Sequence, residues 1–199
     1  AHVLVDDAKL KDSAHDFGKN VIPSMLGKYK VTAYNFEDEN KSGQPYWRDI
    51  GTLDSYFDTS MDLISVSPTF NLYDIDWPIR TYQGQYPPAK NVFSEPQEGG
   101  RMGVALDSIV SGGVIISGGR VTRSLLSPNV RIHSYSSVEE SILFNNVSVG
   151  RNSKIKRAII DKNVVIPENS EIGYNLEEDK KRFFVTPSGI VVISKNQRI

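Results

Sequence analysis

No cysteine occurs among the 199 residues, so disulfides, zinc–thiolate sites and cysteine nucleophiles are excluded. Histidine is also scarce, with three residues, and neither His2 nor His15 has a second histidine at helical spacing. No apolar run approaches the ~20 residues that carry a helix across a bilayer, and the first residues show no signal-peptide pattern. No membrane association is expected, and a cytoplasmic setting is. The formal charge of −1 is unevenly spread: residues 1–100 hold 9 Lys/Arg against 15 Asp/Glu, and residues 101–199 hold 14 against 9. A mildly basic second half suits anions, but it lacks the clustered aromatics and strong positive charge of a nucleic-acid binder. The length allows at most two domains.

What is present is a repeat. Asn-Val recurs every seventeen residues at Asn129-Val130, Asn146-Val147 and Asn163-Val164, and paired aliphatics recur at Leu125-Leu126, Ile142-Leu143 and Ile159-Ile160. Large apolar residues fall six, six and five apart: Ile109, Ile115, Val121; Leu126, Ile132, Val138; Leu143, Val149, Ile155; Ile160, Ile166, Ile172. Helices place apolar residues three and four apart and half-buried strands two apart. A near-six spacing suits a three-sided coil that sends one aliphatic inward from each side, the mark of hexapeptide β-helix solenoids. One coil cannot bury its own inward row, so the coils must stack. Asn at a recurring corner fits a left-handed backbone position. The small residues Ser124, Ser141 and Ala158 mark another stacked position. The polar segment 173–182 is expected to cap one end, and the strand 189–193 to pack along the prism.

The first half offers shorter pieces. A helix is predicted over 20–28 despite Pro23, with strands over 30–36 and 46–50. Thr52 reads as the N-cap of a helix through Val66, with Leu53, Tyr56, Phe57, Met61 and Ile64 on one face. These pieces enclose little core, and Val3 to Leu10 resembles the end of a longer helix, so upstream sequence is expected. Turn formers crowd 83–88 and 95–100. The expected division is 1–66, a linker at 67–103, and a solenoid at 104–199.

Asp49 ends the predicted strand 46–50 just before a helix N-terminus. Ligands gather at strand ends in open α/β sheets, and Mg²⁺ takes one or two carboxylates plus substrate phosphates. Asp49 is therefore the candidate metal ligand, although capping the next helix would also account for an acidic residue there.

These segments together resemble bacterial glucose-1-phosphate adenylyltransferases, the ADP-glucose pyrophosphorylases. The resemblance runs from His15 to Lys195 through His15-Asp16-Phe17-Gly18-Lys19, Tyr46-Trp47-Arg48-Asp49-Ile50-Gly51-Thr52, Trp77-Pro78-Ile79-Arg80-Thr81, Pro87-Pro88-Ala89-Lys90, 108–113, Ile160-Asp161-Lys162, Arg182-Phe183-Phe184 and Gly189-Ile190-Val191. It implies an α/β remnant of a Rossmann-like nucleotidyltransferase domain followed by a left-handed parallel β-helix with coils of about 17 residues. The implied reaction joins ATP and glucose 1-phosphate into ADP-glucose and pyrophosphate with Mg²⁺, in glycogen synthesis. Asp49 is then the second of two metal carboxylates and Trp47 lines the sugar-phosphate pocket. Lys162 and Lys195 match positions that contact phosphorylated allosteric effectors, and a homotetramer is implied. The family's glycine-rich nucleotide loop, its first metal aspartate and its sugar-phosphate lysine have no counterpart here. Gly112-Gly113 and Gly118-Gly119 lack the following Lys-Ser/Thr of a phosphate cradle and read as coil turns. The chain is expected to be the last half of such an enzyme and inactive alone.

Two other readings exist. Hexapeptide solenoids also carry acyltransferases with a histidine base, and His133 is the one histidine of the repeat. The chain can also be a non-catalytic regulatory or assembly module. Lys154, Lys156 and Arg157, like Lys180, Lys181 and Arg182, are expected as solvated charges, the first cluster with a possible place at a subunit contact. Asp58 and Asp62, four apart on a helix, read as a solvated acidic face.

Overall fold

A computed structural model describes residues 2–36, 46–76, 78–95, 97 and 100–199. Trp77 of the Trp77–Thr81 motif, and Pro96, Glu98 and Gly99 of the turn-rich stretch, lie outside the described residues. The chain divides into two compact units, Ala1–Asp38 and Glu39–Ile199.

The first unit holds α1 (His2–Asp7), a π-helical turn (Phe17–Val21) and α2 (Ile22–Met25). The helix expected over 20–28 is thus shorter and differently built. Asp16 caps the π-turn by accepting from the Lys19 N–H at 2.7 Å. Pro23 sits at the start of α2, which follows directly on the π-turn. The chain leaves the helical region at Leu26, and Gly27 (φ 77°) follows in the left-handed region. Neither 30–36 nor 46–50 forms a strand. This corrects two expectations: a short segment of strand-like composition needs a neighbour to pair its backbone groups, and among the described residues neither has one.

The second unit is built on the repeat. The first coil carries β1 (Lys90–Val92), β2 (Val104–Leu106) and β3 (Ile109–Val110); the second β4 (Ile115–Ser117), β5 (Arg120–Thr122) and β6 (Leu125–Leu126); the third β7 (Arg131–Ile132), β8 (Ser137–Glu139) and β9 (Ile142–Leu143). The fourth has β10 (Ser148–Val149), β11 (Lys154–Lys156) and β12 (Ala158–Ile160), and the fifth β13 (Val165–Ile166) and β14 (Glu171–Ile172). The chain then leaves the coil through α4 (Leu176–Lys180) and β15 (Phe184–Val185), and β16 (Val191–Ile193) returns as the fifth coil's third side. Three sheets result, ordered β1-β4-β7-β10-β13, β2-β5-β8-β11-β14 and β3-β6-β9-β12-β16, with adjacent strands parallel and β15 antiparallel outside β16. The chain is a parallel β-solenoid, and its ladder begins at Lys90, inside the segment expected as linker.

Ten of the twelve predicted inward residues, from Val121 to Ile172, are almost completely buried. The two exceptions lie in the first predicted period. There the register pairs Val110 with Leu126 and Ile116 with Ile132, so Val110 and Ile116 point inward in place of Ile109 and Ile115. That period is sixteen residues long, and the missing residue shifts the inward phase by one. The Asn-Val valines add another buried row: Val130, Val147 and Val164, with Val114 at the equivalent place. Paired aliphatics serve both faces of the third sheet. Leu126, Leu143 and Ile160 point inward, while Leu125, Ile142 and Ile159 pack outside with the helix described below.

Polar ladders hold the corners. Asn129, Asn146, Asn163 and Asn196 all have φ near 60°, and each of the first three donates from Nδ2 to the Oδ1 of the next, at 3.3, 2.9 and 3.1 Å. Ser124 and Ser141 do more than leave space. Each Oγ donates to a carbonyl two residues back and accepts the N–H of the following coil, from Ser141 and Ala158 respectively, so these buried hydroxyls are satisfied. At the far end Asp179 of α4 accepts from the Gly173 N–H at 2.8 Å, and Leu176 packs on the core, as a cap requires. Gly173 has φ 83°, and a Cβ there would run into the Lys156 carbonyl.

Candidate functional site

Thr52 caps α3 (Leu53–Asp62), accepting from the Ser55 N–H at 3.1 Å. Capping therefore does not account for Asp49. Its Oδ1 instead accepts from the Gly51 N–H at 3.0 Å, a local turn in an exposed segment.

Along 46–50 the residues alternate in environment. Tyr46, Arg48 and Ile50 line a cavity of about 310 Å³ with Tyr56, Thr59, Ser60, Leu63 and Phe70. Tyr46 stacks on Phe70 at 5.2 Å, and Arg48 reaches Asp62 at 3.7 Å. Trp47 (83% exposed) and Asp49 do not line this cavity. The segment thus anchors on α3 by one set of side chains and presents the other set outward.

Asp49 suits a hard divalent cation in chemistry, being an anionic oxygen donor whose Oδ2 has no hydrogen-bond or ion-pair partner among the described residues. Among the described residues no group of three or more His, Asp or Glu side chains is arranged around a common point. Asp49 therefore fits as one carboxylate of a site completed by substrate phosphates or further ligands, in the manner of Mg²⁺.

α3 lies along the third sheet of the solenoid. Phe57, 2% exposed, is the centre of an apolar cluster with Ile142, Ile159 and Ile190, flanked by Tyr56, Met61, Leu125, Phe144 and Val192. Near its N-terminus Asp54 Oδ1 accepts from Ser188 Oγ at 2.6 Å. Near its C-terminus Met61 and Asp62 share a cavity with Asp107 and Arg123 of the early coils. Ten residues of helix reach about 15 Å and four coil steps about 19 Å, so one helix nearly spans the stack. The Asp54 carboxyl is held below its ordinary range chiefly by the Ser188 hydroxyl, then by Thr186 and the Arg157 charge, against an opposing effect of burial.

Arg157, expected as a solvated charge, is instead part of this contact. It donates from Nη2 to the Ser188 carbonyl at 3.4 Å, lies 5.7 Å above the Phe57 ring and pairs with Glu140 at 3.8 Å. Lys156 meets Glu139 at 3.5 Å. Lys180 and Lys181 pair with Glu177 and Glu178 on the exposed side of α4. Asp54, Ser188 and Arg157 are absent from the sequence-level candidates, because contacts spanning 134 and 31 residues leave no local spacing to find.

Lys162 and Lys195 are brought together. Ile160 pairs with Ile193, and the register continues through the Asp161 N–H to the Ile193 carbonyl (2.9 Å), the Asn196 N–H to the Lys162 carbonyl (3.1 Å) and the Asn163–Asn196 side-chain bond. The two exposed lysines therefore occupy equivalent positions on adjacent rungs, about 4.8 Å apart along the stack. Among the described residues neither pairs with a carboxylate within 4 Å. On earlier coils the same row holds Gly112, Pro128 and Asn145, which line a cavity of about 560 Å³ with Ser111 and the 82–86 segment. His133 Nε2 lies 3.5 Å from Ser148 Oγ, an ordinary contact between rungs.

Comparison with known proteins matches two stretches of the chain. Residues 87–193 match the GlmU-like, C-terminal hexapeptide family and residues 1–66 match the nucleotidyl transferase family. Glucose-1-phosphate adenylyltransferase of Koribacter versatilis (strain Ellin345) is 56% identical over 194 residues, 98% of this chain and 46% of the relative. The protein of the same name from Methylococcus capsulatus is 51% identical over 191 residues, 96% of this chain and 44% of the relative. That from Rhodopirellula baltica is 53% identical over 197 residues, 98% and 44%. The chain spans about half the length of the curated relatives it matches. With a solenoid whose buried rows follow the repeat, and a hexapeptide match over more than half its residues, the chain belongs to the GlmU-like C-terminal hexapeptide family and is similar, over nearly all its length, to glucose-1-phosphate adenylyltransferases.

Proposed function

We propose that the chain is the C-terminal portion of a glucose-1-phosphate adenylyltransferase, which joins ATP and glucose 1-phosphate into ADP-glucose and pyrophosphate for glycogen synthesis. The observation that carries the reading is the outward presentation of Trp47 and Asp49 from a segment anchored on α3, in a chain alike from end to end to proteins of that name. Asp49 contributes one carboxylate to a Mg²⁺ site, and bound Mg²⁺ offsets charge on the nucleotide phosphates. Trp47 offers a rigid aromatic wall to the sugar phosphate. The Asp49–Gly51 turn and the Thr52 cap hold the carboxylate at a fixed distance from α3. In such a transfer the protein supplies positioning and charge more than covalent chemistry.

The solenoid serves assembly and regulation in this reading. Lys162 and Lys195 receive phosphorylated effectors: two like charges on neighbouring rungs repel, and an anion between them relieves that repulsion. Lysine suits the task as a compact point charge. The flat outer faces of the coils suit side-by-side packing in a homotetramer, and the cytoplasm is the setting. The test is made in a polypeptide extended to the relatives' length. Asp49→Asn should lower ADP-glucose formation by about a hundredfold or more, whereas the 199-residue chain alone should form none.

A further inference from the structure

We propose that the Asp54–Ser188 hydrogen bond, supported by Arg157, is a coupling joint that carries anion occupancy at Lys162 and Lys195 to the Asp49 segment. The proposal rests on the reading of those lysines as an effector site. Its basis is the layout of two paired strands. β12 and β16 lie in parallel register, Ala158 beside Val191 and Ile160 beside Ile193. Arg157 stands immediately before β12 and Lys162 two residues after it. The Thr186–Ser188 turn stands just before β16 and Lys195 two residues after it. Each strand is thus a strut of about 10 Å with an effector lysine beyond one end and a contact to α3 beyond the other.

The α3 end is directional. Most of the helix is held by apolar packing around Phe57, which tolerates small sliding because it has no preferred angle. Ser188 Oγ to Asp54 Oδ1, at 2.6 Å, is a charge-assisted hydrogen bond that fixes position. The turn behind it is stiff: Thr186 Oγ1 lies 3.2 Å from Ser188 Oγ and accepts the Ile190 N–H at 3.1 Å. Arg157 ties the β12 strut to the same turn through the Ser188 carbonyl. On the helix side Asp54 is five residues from Asp49, joined through the Thr52 cap and the Asp49–Gly51 turn. An anion that draws Lys162 and Lys195 together thereby steadies both struts, the turn, Asp54 and the carboxylate segment.

The test is hydrogen exchange on the 199-residue chain with and without saturating inorganic phosphate, whose binding is followed separately by calorimetry. In the wild-type chain protection of residues 49–57 is expected to rise about fivefold or more. Ser188→Ala and Asp54→Ala should still bind phosphate but lose that rise. Ser188 has an exposed side chain, so its variant decides the matter even where Asp54→Ala folds poorly. An equal rise in a folded Ser188→Ala variant overturns the joint, as does phosphate binding by the wild-type chain with no rise at all. Failure of the wild-type chain to bind phosphate overturns the effector reading and the coupling with it.

Discussion

Asn146 donates from Nδ2 to the Oδ1 of Asn163 at 2.9 Å, one coil away, with both residues in the left-handed backbone region at φ 63° and 62°. Conformation and hydrogen bonding ask for the same residue here. The left-handed region costs most L-residues roughly 1–2 kcal/mol, and a net hydrogen bond adds about 1 kcal/mol. Asn146→Ala is expected to destabilise the solenoid by about 2 kcal/mol in urea unfolding, and Asn146→Gly, which keeps the backbone freedom, by about half as much.

The inward row gives a second expectation. Leu143 is fully buried, whereas Val165, on a strand of the same stack, is 63% exposed. Leu143→Ala should cost about 2–5 kcal/mol through lost burial and a cavity. Val165→Ala should change stability by no more than about 0.5 kcal/mol. Equal effects would contradict the assigned inward phase.

The Asp54–Ser188 bond makes the seating of α3 pH-dependent. Asp54 is held below the ordinary carboxylate range, so it binds fewer protons in the folded chain than in the unfolded one. Its contribution is complete above that range and drains away as pH falls through the folded value. Asp54→Asn should remove this part of the acid sensitivity, read as a smaller change of exchange protection at 53–62 between neutral and acid pH.

Lys162 and Lys195 lead to a salt-dependent expectation. Like charges on neighbouring rungs destabilise by a few tenths of a kcal/mol, so Lys195→Ala should melt at the same or slightly higher temperature at low salt. Inorganic phosphate should raise the melting temperature of the wild-type chain and not that of the Lys162→Ala, Lys195→Ala double variant.

Much of the solenoid is legible because its core obeys a single period. From Val121 to Ile172 the inward residues follow from spacing alone. Residues 109–115 do not, because a sixteen-residue first period displaces the phase and both Ile109 and Val110, or Ile115 and Ile116, satisfy an apolar pattern. The Thr52 cap is local and readable. The segments 30–36 and 46–50 have strand-like composition but no ladder among the described residues, since composition cannot supply a partner strand. Asp49 and Trp47 are visible as a motif, and Lys162 and Lys195 only through resemblance; their adjacency needs the β12–β16 register, which the α4 excursion hides by making that spacing 33 residues instead of 17. Ser188 and Arg157 carry no signal in their own neighbourhoods, because their partners lie on α3 and across the coils.

Formation of ADP-glucose from ATP and glucose 1-phosphate, by a polypeptide carrying this sequence extended to the relatives' length, tests the functional reading most directly. Turnover should appear with Mg²⁺ and fall by about a hundredfold or more in Asp49→Asn. No ADP-glucose from the extended protein, or an undiminished rate in the variant, would contradict it.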